Sequence, residues 1–445
     1  MATKSSLTLP PFDELMNDPG IEIMVDAQML AAYVRQGHDA PPLAMATGDP
    51  YLLGATLPAG LAAWERKAPK YFGGYSRTPA GIPEARRTVL DVTVRGQQLD
   101  RHAVVGKDFD MHLTPATGTR GIIRDFGRYV LATRPKGEKR TPVILCATPA
   151  WDYAGALSSL GFSMRFWPLR PENGWLPAVA DAEAALRQID ANPNEYLALV
   201  IVNAQHNPTG RSWPADVLRS LYGAATSRGA AILLDDPYYF VVTDTAKPAS
   251  APAVLFEHLA DKKTPKAAAH QWCRVQSFGK TFVCNNWGIG SVMAHPDTLR
   301  VLGEYLFEWA FPREGARQWA MARWLADPAC EKYLAGQRKA LGNKRRMWAE
   351  ALQTLGWPPE LTAVGEATPY FLMAVPPAYL AKPDGVIHWR QVLLDEAGLL
   401  FSHASIEQEG TDADAPFLRA YLGGSEAIVA EAIRRLTRVG VRYAG

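Results

Sequence analysis

The sequence predicts an α/β fold, with a mostly parallel sheet in a large domain and a smaller α+β domain after it. Four continuous apolar runs, separated by helical stretches, are typical of strands buried on both faces of a parallel sheet. Beyond residue 300 the chain becomes rich in Ala, Arg, Trp and Met at helical spacing. We therefore predict an N-terminal arm that is part of the small domain (1–58), a large domain (59–322) and a small C-terminal domain (323–445).

Local patterns predict the individual elements. A proline in the first turn begins a helix at 83–95, and a second helix covers 121–133. The apolar runs are residues 142–147, 198–202, 231–234 and 272–276. The later elements are a strand at 370–375, a helix at 388–397, a strand near 418–422 and a last helix at 425–439. The first 60 residues contain several prolines and are predicted to be irregular.

Composition disfavours several classes of protein. Charged residues make up 21% of the 445, and a net charge of +2 provides no basic surface for nucleic acid. The apolar runs are too short to span a bilayer, and the first residues lack the apolar core of a secretory signal. The four cysteines have neither zinc-binding nor redox spacing. We predict a cytoplasmic protein that binds no nucleic acid, membrane or metal ion.

A polar cluster follows each apolar run, in the order TPAW, NAQHNPTG, DDPYY and SFGK. Ligands of open α/β sheets bind outside the carboxyl ends of the strands, so these clusters should meet in one crevice. Lys280 is either a surface lysine or an amine that forms a Schiff base with a carbonyl compound. Asp235 is either a helix cap or a carboxylate that pairs with a protonated pyridine nitrogen. Asn207, in NPTG, marks at least a turn, and Tyr238 is a phenol that can donate to a ring oxygen.

The motifs NPTG, D-x-x-Y and S-x-x-K, in this order and at about this spacing, resemble the class I and II aminotransferases of fold type I. These enzymes use pyridoxal 5'-phosphate (PLP). The resemblance implies a PLP-dependent transferase fold with a seven-stranded, mostly parallel sheet, and a homodimer with sites at the subunit interface. It also implies a small-molecule substrate, an α-amino acid, which would react through an external aldimine and a quinonoid, with transamination as the leading activity.

The family pattern assigns roles around the cofactor ring. Lys280 matches the Schiff-base lysine, and Asp235 matches the carboxylate on the pyridinium nitrogen. Asn207 and Tyr238 match the pair that hydrogen-bonds the phenolic oxygen of the ring. Trp151 matches the aromatic residue that stacks on the ring face, although a core tryptophan is the alternative in a chain with 13 of them.

The resemblance also assigns roles at the two ends of the cofactor site. The residues that match the phosphate ligands are Ala116, Thr117 and Gly118 at a helix start, Ser277, and Tyr75, which would reach the neighbouring subunit's phosphate. Arg419 matches the arginine that binds the substrate α-carboxylate, for which a guanidinium fork is suited. The alternative is a solvated arginine at a helix edge. Gly48 matches the N-terminal loop that closes over that carboxylate.

Two departures from the family pattern leave the reaction open. Gly288 replaces the arginine that usually grips the phosphate, so either Arg120 substitutes or the space serves a bulky substrate with Trp287 in its wall. The usual P-G-x-x-F turn is missing near residues 401–404. The alternative is therefore a divergent biosynthetic PLP enzyme of the same fold, which performs β/γ-elimination, oxidation or C–C bond formation.

Two other classes of protein fit the sequence less well. A PLP-binding regulator usually carries a basic DNA-binding module, whereas the segment before Gly48 is short and acidic. An NAD-dependent dehydrogenase is disfavoured because no GxGxxG follows an early strand.

Overall fold

The computed structural model describes residue 9 and residues 25–46, 48–75, 78–99, 102–114, 118–244, 246–311, 313–404 and 416–443. The first described elements are α1 (Val25–Arg35), β1 (Leu43–Ala44), α2 (Ala59–Arg66) and α3 (Pro83–Gln97). The helix predicted at 83–95 is thus confirmed. The prediction of an irregular first segment was wrong for α1, because Leu30 and Tyr33 pack in an apolar cluster with Leu394 and Leu400.

A seven-stranded sheet contains the four predicted apolar runs. Its strands are β2 (Asp110–Leu113), β3 (Thr141–Thr148), β4 (Ser163–Pro168), β5 (Glu195–Val202), β6 (Ala231–Asp235), β7 (Trp272–Ser277) and β8 (Gly290–Ala294). The spatial order is β2-β8-β7-β6-β5-β3-β4. Strands β3 to β7 are parallel, whereas β8 is antiparallel to both of its neighbours. The predicted mostly parallel, seven-stranded sheet is therefore confirmed.

Both faces of this sheet are buried. Strand β3 contributes Val143 and Leu145 to one apolar cluster, and Ile144 and Cys146 to another. Because side chains alternate across a strand, the two clusters lie on opposite faces. The helices of this part are α4 (Gly118–Ala132), α5 (Tyr153–Leu157), α6 (Val179–Ala191), α7 (Ala215–Ser227), α8 (Ala251–Ala260), α9 (Gly279–Phe282) and α10 (Pro296–Trp309). Burial on two faces explains why these strands are continuous apolar runs.

The rest of the described chain is α+β. Its elements are α11 (Gly315–Ala326), α12 (Pro328–Thr354), β9 (Thr362–Ala363), β10 (Tyr370–Ala374), α13 (Pro377–Leu380), α14 (Gly385–Ala397), β11 (Leu399–Leu400), β12 (Ser402–His403), β13 (Phe417–Tyr421) and α15 (Glu426–Val439). An antiparallel sheet has the order β12-β13-β10-β9, and β1 pairs with β11 in parallel. None of the helices in the described ranges is long and apolar enough to cross a membrane.

Candidate active site

Lys280 lies in the short helix α9, directly after the carboxyl end of β7. Its Nζ donates to the main-chain oxygen of Gly48 at 3.2 Å, and Asn285 Nδ2 donates to the same oxygen at 2.9 Å. A Cβ atom at position 48 would stand 2.0 Å from Tyr370 Oη and 3.1 Å from Lys280 Nζ. A side chain at position 48 would therefore displace Tyr370, and the structure brings the predicted loop residue and the predicted lysine into contact.

Asp235 ends strand β6 and keeps a partly accessible side chain between the buried residues Leu234 and Asp236. The Tyr153 hydroxyl donates to Asp235 Oδ2 at 2.6 Å, and Asn203 Nδ2 donates to the main-chain oxygen of Asp235 at 2.7 Å. Desolvation raises the pKa of the Asp235 carboxyl from 3.8 to about 6. The Tyr153 hydrogen bond opposes this rise, Asp236 adds to it, and Lys280 opposes it.

Asn207 and Arg419 are hydrogen-bonded to each other, although 212 positions separate them in the chain. Asn203 Oδ1 accepts from the Asn207 main-chain N–H at 2.7 Å, which fixes the turn after β5. Arg419, on β13, then donates from Nη1 to Asn207 Oδ1 at 3.3 Å. The turn after a strand of the seven-stranded sheet therefore meets a strand of the antiparallel sheet at this pair.

Arg419 is only 3% exposed, and its three hydrogen-bond acceptors are all neutral. Nε donates to Ser402 Oγ at 3.0 Å, Nη2 donates to the Ala46 main-chain oxygen at 2.9 Å, and Nη1 uses Asn207. Within the part of the chain that the structure describes, no carboxylate pairs with this guanidinium. One N–H remains on each terminal nitrogen, which is the pattern that binds a carboxylate bidentately.

Tyr238 is buried near this pair, and its ring meets the edge of Tyr370 with the centroids 6.0 Å apart. Burial raises the pKa of Tyr238 well above its ordinary value, and the nearby Tyr370 adds to the rise. The Arg419 guanidinium lies 4.7 Å from the centroid of the Tyr370 ring. Tyr370 therefore connects two of the predicted residues.

The predicted phosphate end is only partly described, because Ala116 and Thr117 lie outside the described residues. Gly118 begins α4, and its N–H donates to the Gly288 main-chain oxygen at 2.9 Å. Both glycines have left-handed backbones, with φ of 64° and 61°. Ser277 ends β7 opposite Gly290. The structure thus brings the predicted small-residue turn beside the position that lacks the family's arginine.

Arg120 is held beside Trp151. Its Nη1 forms an ion pair with Asp152 at 2.9 Å, and its guanidinium lies 4.6 Å from the centroid of the Trp151 ring. Trp151 is partly exposed and packs against the apolar cluster on one face of the sheet, so its role at a cofactor ring stays a prediction. Trp287, in contrast, is only 4% exposed and has Arg317 over its ring.

Tyr75 lies on the surface of the single chain. Its side chain is 71% exposed, and its ring packs on Phe311 with the centroids 5.3 Å apart. The structure of one chain therefore leaves Tyr75 open to another molecule, and its role towards a neighbouring subunit stays a prediction.

Four residues of the site were not identified from the sequence: Tyr153, Asn285, Tyr370 and Ser402. Tyr153 follows Trp151 by two residues, and this closeness to a strand-end cluster was the available signal. Tyr370 lies in a predicted strand, where an aromatic residue indicates core packing only. Ser402 lies in the segment that lacks the family's usual turn. Their roles follow from contacts across the fold.

The sequence model of the family described as aminotransferase class I and II matches residues 135–436. The chain belongs to this aminotransferase family. The matched range includes Trp151, Asn207, Asp235, Lys280 and Arg419. The resemblance seen in the three motifs is therefore confirmed, and the chain is an aminotransferase-like enzyme.

Individual relatives of this aminotransferase family differ in coverage. A probable aspartate/prephenate aminotransferase of Aquifex aeolicus is 22% identical over 361 residues, 81% of this chain and 82% of that protein. Capreomycidine synthase of Streptomyces vinaceus is 33% identical over 102 residues, 23% of this chain and 24% of that protein. The second match therefore concerns about a quarter of each protein.

Solved structures show the same fold. A mutant aspartate aminotransferase of Thermus thermophilus aligns with a TM-score of 0.74 at 21% identity, over 97% of this chain and 99% of that chain. The substrate-bound BacF structure from Bacillus subtilis aligns with a TM-score of 0.74 at 16% identity, over 99% and 100%. These alignments confirm the predicted architecture of fold type I.

Proposed function

We propose that this member of the aminotransferase family binds PLP and transfers the amino group of an α-amino acid. The observation that carries the proposal is Arg419, a buried guanidinium with neutral partners and two N–H groups left over. A buried cation without a counter-ion is unfavourable, and a bound α-carboxylate would supply that counter-ion. The Tyr370 ring lies 4.7 Å from this guanidinium, and the Tyr370 hydroxyl borders the space at Gly48 that the Lys280 amine faces.

The residues of the site fit PLP. Lys280 offers an amine for the aldehyde carbon, and Asp235 offers a partly accessible carboxylate at a strand end for the pyridine nitrogen. Trp151 offers a ring face for stacking. Arg419 occupies Oδ1 of Asn207, which leaves Asn207 Nδ2 as a donor to the phenolic oxygen, beside the Tyr238 hydroxyl. When bound, PLP supplies an electron sink conjugated to the substrate nitrogen.

The chain's own residues then divide the work. Arg419 orients the substrate by its carboxylate, so that the Cα–H bond faces Lys280. The Lys280 amine takes the Cα proton as general base, and the Gly48 carbonyl holds the amine in place. Asp235, kept ionised at neutral pH despite its raised pKa, holds the proton on the pyridine nitrogen.

We expect a weaker grip on the cofactor phosphate than in relatives with an arginine at position 288. Among the described residues of one chain, the groups predicted to bind the phosphate are the start of α4, which begins at Gly118, and the Ser277 hydroxyl. One charge-assisted contact is worth about 1.5–3 kcal/mol, so PLP binding should be weaker by about that amount. Arg120 forms an ion pair with Asp152 and lies against the Trp151 ring. Its charge is therefore partly neutralised by Asp152 and is less available to the phosphate.

A second candidate function is a different reaction at the same Cα carbon, such as elimination, oxidation or C–C bond formation. Two observations favour it: Gly288 in place of arginine, and the local 33% identity to an enzyme named as a synthase. Both candidates use Lys280, Asp235 and Arg419 in the same way until the Cα proton has been removed. They differ in the product.

The experiment that tests the proposal separates cofactor attachment from reaction type. Protein reconstituted with PLP is reduced with borohydride, digested and analysed by mass spectrometry, and the label is expected on Lys280. The exposed Lys332 provides the control, so that Lys332→Ala keeps the label while Lys280→Ala loses it. A panel of amino acids is then offered with and without keto acids. Amino transfer supports the lead function, whereas ammonia release or oxygen uptake favours the second candidate, and an unlabelled Lys280 overturns both.

We further propose a cytoplasmic homodimer. An exposed aromatic patch that includes Tyr75 and Phe311, which are 71% and 62% exposed, is the surface that supports dimerisation. The four cysteines are buried and unpaired, as expected in a reducing compartment. Light scattering on the purified protein tests the dimer. Tyr75→Ala is expected to weaken PLP retention, while the PLP that remains bound is still attached to Lys280.

A further inference from the structure

Tyr370 occupies the centre of the site and has no role in the proposed function so far. It begins strand β10, is only 2% exposed, and contacts Arg419 on β13 and Tyr238 in the segment after β6. One face of its ring carries the Arg419 guanidinium at 4.7 Å, and its ring meets Tyr238 at 6.0 Å. Core packing alone would be satisfied by phenylalanine and does not explain the hydroxyl of Tyr370.

The Tyr370 hydroxyl and the Lys280 amine face the same small space. The point at which a Cβ atom of residue 48 would stand lies 2.0 Å from Tyr370 Oη and 3.1 Å from Lys280 Nζ. Gly48 leaves this space open, and its main-chain oxygen accepts from the amine at 3.2 Å. The Tyr238 ring also packs edge-on against the Tyr370 ring, with the centroids 6.0 Å apart.

We propose that Tyr370 is a positioning residue for both ends of the reaction: its ring face orients Arg419, and its hydroxyl oxygen holds one N–H of the Lys280 amine. The proposal rests on the proposed function and adds a residue to it. A neutral amine has two N–H bonds and one lone pair. With one N–H on the Gly48 oxygen and the other on Tyr370, the lone pair is left to take the Cα proton.

Two substitutions separate the ring from the hydroxyl. Tyr370→Phe removes only the hydroxyl, and Tyr370→Leu removes the ring face as well. Tyr421→Phe is the matched control, because the Tyr421 ring packs against Tyr370 from the paired strand β13, with the centroids 5.2 Å apart. The Tyr421 hydroxyl lies 2.4 Å from the point where a Cβ atom of Gly423 would stand. It is therefore placed beside Gly423, whereas the Tyr370 hydroxyl is placed beside Gly48.

We expect a split between rate and binding in the PLP-loaded variants. With the amino acid that reacts with the wild type, Tyr370→Phe should remove the Cα proton about ten- to a hundredfold more slowly, with KM within about twofold. Tyr370→Leu should show the same slowing and a further rise in KM of about tenfold, from loss of the cation–π contact. The α-methyl derivative of that amino acid, which has no Cα proton, should bind Tyr370→Phe normally and Tyr370→Leu more weakly.

A second readout needs no substrate. Absorbance of the lysine-bound cofactor, titrated with pH, should have a lower midpoint in Tyr370→Phe, because the hydroxyl oxygen accepts from the protonated nitrogen. The midpoint should not move in Tyr421→Phe. A wild-type protein that takes no borohydride label on Lys280 defeats the proposed function itself. If the wild type is labelled but Tyr370→Phe has the same pH midpoint and the same rate of Cα proton removal, only the role of Tyr370 is overturned. The same conclusion follows if Tyr370→Phe loses both the label and its thermal stability.

Discussion

Replacing Asp235 by Asn should stabilise the cofactor-free protein at neutral pH and abolish its function. The carboxyl pKa is 3.8 in an ordinary setting and about 6 in the fold. Each pKa unit corresponds to about 1.4 kcal/mol, so the ionised carboxylate lowers the free energy of unfolding by up to about 3 kcal/mol. Asn removes the charge, and its amide oxygen can still accept from Tyr153. The same substitution deprives PLP of its partner at the pyridine nitrogen.

The pH dependence gives this prediction its sign. A folded-state pKa above the unfolded one favours the protonated carboxyl, so the wild type has its full stability from this group below about pH 4. That stability is lost as the pH rises through about 6. The advantage of Asp235→Asn should therefore be absent at pH 4 and reach up to about 3 kcal/mol at pH 8. Urea unfolding of the cofactor-free proteins at both values measures it.

The adjacent Asp236 is the control, with the opposite expected sign. Desolvation raises the pKa of Asp236 too, but Arg274 and Gln97 oppose this rise, and the carboxylate is the counter-charge of a buried guanidinium. Asp236 accepts from Arg274 Nε at 2.8 Å and from Gln97 Nε2 at 2.7 Å, and Arg274 is fully buried. Asp236→Asn leaves that guanidinium without its counter-charge and should cost about 3–5 kcal/mol at pH 8. If Asp235→Asn and wild type unfold with equal free energies at both pH values, the ionised Asp235 carboxylate does not destabilise the fold, and the reasoning fails.

Three further substitutions test the site. Arg419→Lys should weaken binding of the α-methyl amino acid about tenfold to a hundredfold, because one ammonium cannot replace a bidentate fork; equal affinities would argue against the carboxylate role. Tyr153→Phe removes a hydrogen bond that lowers the pKa of Asp235, so PLP retention should fall near pH 6–7 and recover at higher pH, as followed by dialysis and absorbance. Gly48→Ala places a Cβ atom 2.0 Å from Tyr370 Oη and should reduce kcat/KM at least tenfold with little change in circular dichroism.

The central sheet could be predicted because its strands are buried on both faces. That burial demands continuous apolar runs, and the carboxyl ends of parallel strands lie at one edge, so Asn207, Asp235 and Lys280 had to converge. Helix α1 was missed because its packing partners, such as Leu394 and Leu400, lie far along the chain.

The contacts between the two sheets could not be predicted in the same way. Lys280 and Gly48 are 232 positions apart, and Tyr370 reaches the site from a strand whose sequence indicates only a core. A local pattern carries no information about such pairs. Motif resemblance supplied Gly48 and Arg419 but not Tyr153 or Tyr370, since the contacts of those two hydroxyls depend on how the elements pack.

The backbone conformation at position 288 favours glycine. Gly288 has φ of 61° and ends the short 3₁₀ helix Asn285–Trp287, and its oxygen accepts from the Gly118 N–H. An arginine at this position would have to adopt a left-handed backbone, which is unfavourable for residues other than glycine. Cofactor retention should therefore depend on the bond to Lys280 and on the Asp235–Tyr153 pair at the ring end. Added phosphate should then compete poorly with PLP, whereas loss of Lys280 should release the cofactor on simple gel filtration.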